Sequence, residues 1–190
     1  MSVEEKVITR YRLDPAQSQF TVQAFAEGLF SAFGHDPVFV IRDFAGELQC
    51  ESDSLANASV NITIKAQSLT VNDDVKASDR AEIERMMREQ VLEVEKYPEI
   101  VFISNNITAS KLSNGRFKAK IIGDLTLHGV TQKNLWNFAE VTATDDRLQA
   151  QGELTLKQTD YGIKPVSVAG GTMKVKNEVK LAFEFVVIKE

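Results

Sequence analysis

Residues 117–127 read Phe117-Lys118-Ala119-Lys120-Ile121-Ile122-Gly123-Asp124-Leu125-Thr126-Leu127. Phe117, Ala119, Ile121, Gly123, Leu125 and Leu127 fall on one face, with Lys118, Lys120, Asp124 and Thr126 on the other. A period of two marks a strand that buries a single face. The arrangement recurs along the chain. Phe20, Val22, Ala24 and Ala26 alternate with Thr21 and Gln23, and Val60, Ile62, Ile64 and Ala66 with Ser59, Asn61, Thr63 and Lys65. Leu148, Ala150, Gly152, Leu154 and Leu156 form a further apolar face, as do Met173, Val175, Val179, Leu181, Phe183 and Phe185. Val38-Phe39-Val40-Ile41 is apolar on both faces, and residues 99–108 and 133–143 carry a weaker strand pattern. Strands that each bury one face must close around a shared interior.

The joins between these stretches suit hairpins: Ser113-Asn114-Gly115, Asp145-Asp146 and Gly170-Gly171. Short links favour antiparallel neighbours. The expected fold is therefore all-β, an antiparallel up-and-down barrel of about eight strands in one domain spanning residues 1–190. Asn177 interrupts an apolar face and reads either as a polar contact within the interior or as a bulge. One segment has helical spacing instead: Ile83, Met86, Met87 and Val91 predict an α-helix over about 79–92. Asp79 and Glu82 suggest a capping box, and Pro98 blocks continuation. This helix is expected to lie outside the sheet or across one barrel opening.

Composition narrows the function. A formal net charge of −5 and the lack of any Lys/Arg run argue against nucleic acid, whose phosphates require a basic stripe. No stretch reaches the ~20 apolar residues of a membrane span. The charged start, Met1 to Lys6, carries no secretory core, so the expectation is a soluble cytoplasmic protein, periplasmic if a signal peptide has been removed. Cys50 is the single cysteine, which rules out an intrachain disulfide and reads as an inert thiol.

Chemistry-bearing motifs are sparse. His35, in Gly34-His35-Asp36-Pro37, and His128, before Gly129, each sit at a strand end. Either could act as a base beside a carboxylate, or the two could meet at one rim around a metal, but neither has a second ligand at diagnostic spacing. The Gly-x-Ser-x-Gly and phosphate-loop patterns are missing, and Asn72-Asp73-Asp74 reads as a solvated turn. The residues thus point to binding without a visible reaction, with no cofactor and no metal expected.

Five stretches, in order along the chain, resemble the YceI family, lipocalin-like bacterial proteins associated with polyisoprenoid binding. They are Tyr11-Arg12-Leu13-Asp14-Pro15-Ala16-Gln17-Ser18-Gln19-Phe20, Asp43-Phe44-Ala45-Gly46-Glu47-Leu48, residues 92–102 around Tyr97-Pro98, Gly123 to Thr131 with Leu127-His128-Gly129, and Asp160-Tyr161-Gly162-Ile163. Two positions depart from the family pattern. Gln17 stands where a histidine is frequent, and Gln158 where an arginine precedes the Asp-Phe-Gly element. Losing that cation implies a different or uncharged ligand head.

The resemblance implies a non-enzymatic carrier of a long apolar ligand: an isoprenoid, a quinone-like lipid or a fatty amide. The expected lining is Phe20, Val22, Val40, Ile62, Phe102, Leu125, Leu154, Leu181 and Phe183. Tyr161 is expected at the polar end of the guest, with His35 as a secondary contact, and Trp136 reads equally as core. Two alternatives stay open: a small-molecule enzyme using His35 or His128 in the same cavity, and a stress-related interaction protein whose barrel is filled. A homodimer is also left open.

Overall fold

A computed structural model of the chain describes residues 8–28, 36–51, 55–72, 75–171 and 173–190. Eight strands close into an antiparallel ring in the spatial order β1 (Ile8–Leu13), β4 (Phe44–Glu51), β5 (Ser59–Lys65), β7 (Glu99–Ser113), β8 (Arg116–Leu127), β9 (Val130–Ala143), β10 (Arg147–Lys157) and β12 (Met173–Lys189). The ring shuts where Tyr11, Arg12 and Leu13 pair with Lys189, Ile188 and Val187. The barrel and its helix are as the alternation predicts. Four further strands lie off the ring among the described residues. β2 (Gln19–Gly28) pairs with β12 from Met173 to Glu184, β3 (Val38–Ile41) with β2, and β6 (Leu69–Val71) with β3, while the short β11 (Ser167–Val168) also pairs with β12.

β12 bulges where it pairs with β2. Its register against β2 shifts between Val175 and Val179, around Asn177. The side chain of Asn177 turns that irregularity to use, accepting a hydrogen bond from the Thr159 N–H at 2.9 Å and donating to Thr159 Oγ1 at 2.8 Å. The opening motif is also structural. Asp14 N–H donates to the Val186 carbonyl (2.8 Å), and Ser18 Oγ accepts from Val186 N–H (2.9 Å), so the β1–β2 turn is stitched to β12.

The helix differs in detail from the expectation. α1 spans Ala77–Met86 and runs on through a wider π-type turn at Met87–Val91. Its N-cap is Lys76 with no side-chain cap, so Asp79 sits in the first turn and forms no capping box. It ends at Glu93, whose φ of +45° is left-handed, before Pro98 is reached. The helix also finishes the sheet. Glu84 Oε1 accepts the Val71 N–H at 2.9 Å, Arg80 donates to the Val71 carbonyl, and Arg88 donates to the carbonyls of Leu69 (3.0 Å) and Gln67 (3.2 Å). Side chains thereby occupy the backbone groups that edge strand β6 would otherwise present to another chain.

Gly123 marks a close approach between strands. A Cβ there would fall 2.5 Å from the Phe102 ring and 2.6 Å from the Ile103 carbonyl oxygen. The backbone oxygen cannot swing aside. Gly123→Ala should therefore lower stability by about 1–3 kcal/mol, the usual effect of overpacking, in denaturant unfolding. An unchanged midpoint and slope would show that β7 and β8 separate freely there.

Candidate functional site

The inward faces of the ring and of the β2–β3 flap enclose a cavity of about 360 Å³. Its wall is almost wholly aliphatic and aromatic, and it extends beneath the helix, where Ile83, Met86, Met87, Val91 and Leu92 form the cover. Phe20, Val22, Ile62, Phe102, Leu125, Leu154, Tyr161, Leu181 and Phe183 all border it. Val40 does not. Phe39 and Ile41 take the inner face of β3, so the period of two turns Val40 to the other side, where it is buried opposite Thr21 and Thr70. A run apolar on both faces hides its parity, which is why sequence reading chose the wrong residue of the pair. His35 lies outside the described residues. Trp136, read equally as core, is 63% exposed.

The polar residues at the wall are Trp136, Asn137, Lys157, Gln158 and Tyr161. Lys157 is exposed, and Gln158 Nε2 donates to the Lys176 carbonyl at 2.8 Å. The residue standing in place of an arginine is therefore occupied in bracing the β12 bulge. Two polar atoms remain buried without a hydrogen-bond partner among the described residues: Asn137 Nδ2 and the Tyr161 hydroxyl. Tyr161 is only 1% exposed, and burial, with the Asp160 charge adding to it, pushes its phenol up to about 12. It stays protonated at neutral pH and can donate. Sequence reasoning missed Asn137. Its signal was an amide on the inward face of β9, between Leu135 and Ala139.

The turn carrying Tyr161 is held from several sides. Residues Gln158–Tyr161 form a 3₁₀ turn capped by Gly162 at φ +67°, where Ile163 N–H reaches the Gln158 carbonyl at 3.1 Å. Gln132 Nε2 donates to the Asp160 carbonyl at 2.6 Å. His128 lies beside the same turn, with Nδ1 3.1 Å from the Tyr161 carbonyl oxygen and Nε2 2.5 Å from Glu93 Oε2. Tyr97 packs on its ring at 4.4 Å and fills the space a Cβ at Gly129 would need. Both nitrogens of His128 face protein acceptors, and it does not border the cavity, so it acts as a clasp joining the helix end, the β8–β9 turn and the Tyr161 turn. Among the described residues no cluster of His, Cys, Asp and Glu is placed to hold a metal. Cys50 is 1% exposed, and burial raises its thiol pKa, in keeping with an inert role.

A model of the YceI-like domain matches residues 11–187. The chain belongs to the YceI family. A UPF0312 protein of Pseudomonas putida (strain W619) is 26% identical over 194 residues, covering 95% of this chain and 90% of its own length. A UPF0312 protein of Photorhabdus laumondii is 33% identical over 128 residues, which cover 63% of this chain and 60% of the relative. Among solved structures, Burkholderia cenocepacia BcnA superposes with a TM-score of 0.70 at 18% identity, over 92% of this chain and 98% of BcnA. A polyisoprenoid binding domain from Saccharophagus degradans, implicated in plant cell wall breakdown, gives 0.68 at 14% identity, over 95% and 98% of the two chains. At these identities the two structures establish the fold. No helix among the described residues is long and apolar enough to cross a membrane.

An unsatisfied buried hydroxyl is destabilising in an empty barrel. Tyr161→Phe should leave the cargo-free protein as stable as the parent or more stable, by up to about 1–2 kcal/mol, in thermal or denaturant unfolding. A clear loss of stability would mean that the hydroxyl supports the fold.

Proposed function

We propose that this YceI-family protein binds and carries a long apolar molecule with a small uncharged polar end, in the manner of an isoprenoid lipid. The observation that carries this reading is an apolar cavity with two polar atoms at its wall, Asn137 Nδ2 and the Tyr161 hydroxyl, that have no partner among the described residues. Each buried methylene contributes roughly 0.8 kcal/mol, so a prenyl or acyl chain needs little polar recognition. The two orphaned groups suit one or two acceptor oxygens of the guest. A pyrophosphate would need a cation beside the two orphaned groups; Gln158 supplies none, and Lys157, the cation at the wall, is exposed. The Saccharophagus relative's description as a polyisoprenoid binding domain supports the isoprenoid assignment.

The two alternatives receive less support. A filled barrel would leave no such cavity. An enzyme acting through His128 would need its ring at the cavity wall, and both ring nitrogens instead face Glu93 and the Tyr161 carbonyl.

Two measurements test the proposal. Native mass spectrometry of the purified protein should show a co-purifying lipid, and Leu125→Trp should abolish its retention while leaving a folded barrel. Unchanged retention in the folded variant would overturn a cavity route past β8. In addition, Tyr161→Phe should weaken a polar-headed ligand by about 1 kcal/mol, the net worth of one hydrogen bond, and leave a pure hydrocarbon's affinity unchanged. Equal losses for both would remove Tyr161 from the head-group contact.

A further inference from the structure

The outer face of β8 and β9 carries an aromatic pair that the fold does not bury. Trp136 is 63% and Phe138 44% exposed, and their rings meet edge to face at 5.8 Å. Lys120 Nζ lies 5.5 Å over the Trp136 ring and Lys118 Nζ 4.6 Å over that of Phe138. Ile103, 50% exposed, is on the same side of the neighbouring strand. Large rings beside flexible lysines suit a bilayer interface, where the rings enter the headgroup layer and the amines meet phosphate.

Charge points the same way. Residues 99–143, which make up β7, β8 and β9, carry five Lys and Arg against three Asp and Glu, a net of +2 in a chain of net −5. Of those acids, Asp124 is engaged by the Asn134 N–H and the Asn105 amide, and Glu140 stands opposite Lys118. Glu153 and Glu184, on β10 and β12, share a cleft with Phe138 and Lys118, but Lys180 pairs with Glu153 at 2.8 Å and Gln149 donates to Glu184 Oε1 at 2.6 Å.

The line between β9 and β10 matters because two long strands of the wall part there. β9 pairs with β10 only from Ala143 to Glu140, against Leu148 to Gln151. Beyond it, exposed Trp136 and its neighbour Asn137 both border the cavity. We propose that the Trp136–Phe138 face docks on an anionic lipid bilayer, laying the parting between β9 and β10 against the membrane. The docking itself does not depend on the identity of the cargo.

Trp136 is the sole tryptophan, so its emission reports the contact directly. The full chain is mixed with phosphatidylcholine vesicles with and without phosphatidylglycerol, and both emission and co-sedimentation are read. With phosphatidylglycerol present, the emission should shift to the blue, lipids brominated in the upper acyl chain should quench it, and the protein should pellet. Pure phosphatidylcholine, high salt, or Lys118→Glu with Lys120→Glu should each weaken pelleting by roughly tenfold or more, with melting of the double variant unchanged. A blue shift without pelleting, arising from lipid entering the cavity, would overturn the proposal. So would protein that stays in the supernatant of both vesicles, or a face that proves by sedimentation equilibrium to join two copies of the chain.

Discussion

The pairing of β12 with four partners along one length is the constraint on which the rest of the molecule depends. The strand pairs with β10 from Glu178 to Ile188 and with β11 at Met173 and Lys174, and divides its other edge between β2 and β1. Its register against β2 changes part-way, between Val175 and Val179, around Asn177. The same residue anchors the turn that carries Tyr161. The seating of the flap against β12 and the aim of the Tyr161 phenol therefore meet at a single irregularity.

The interior is a compromise between packing and vacancy. An unfilled space of about 360 Å³ forfeits dispersion contacts on the order of several kcal/mol. Rings offset part of that loss, with Phe20 meeting Phe44 at 4.8 Å and stacking toward Phe185 at 6.5 Å. A bound apolar chain would restore the remaining contacts and so couple its affinity to fold stability by mass action.

Strict alternation made the barrel legible, and 3.6-residue spacing made the helix legible, because each period follows from backbone geometry alone. Phe20, Leu125 and Leu181 could be placed at the cavity by parity. Val40 could not, since a run apolar on both faces carries no parity information. The helix start was misread because Asp79 and Glu82 satisfy a capping pattern that the backbone does not use. Long-range partners had no local signal at all: Glu93 reaches His128, and Gln158 reaches the Lys176 carbonyl, through the closure of the barrel. The motifs that carried the family resemblance prove mainly structural. Tyr97, Leu127-His128-Gly129 and Asp160-Tyr161-Gly162 converge on the clasp at His128. The cavity itself consists of ordinary aliphatic residues that no short motif records.

The helix that covers the cavity is also the partner of the β6 edge, through Glu84, Arg80 and Arg88. Its two tasks are therefore mechanically linked. Lifting it far enough to pass a long chain would strip those side chains from the Val71 and Leu69 backbone and bare an unpaired strand to its surroundings. Fast exchange through the helical mouth and resistance to edge-to-edge association thus oppose one another in this architecture. A chain that must load often while remaining monomeric has a physical reason to admit its cargo elsewhere in the wall.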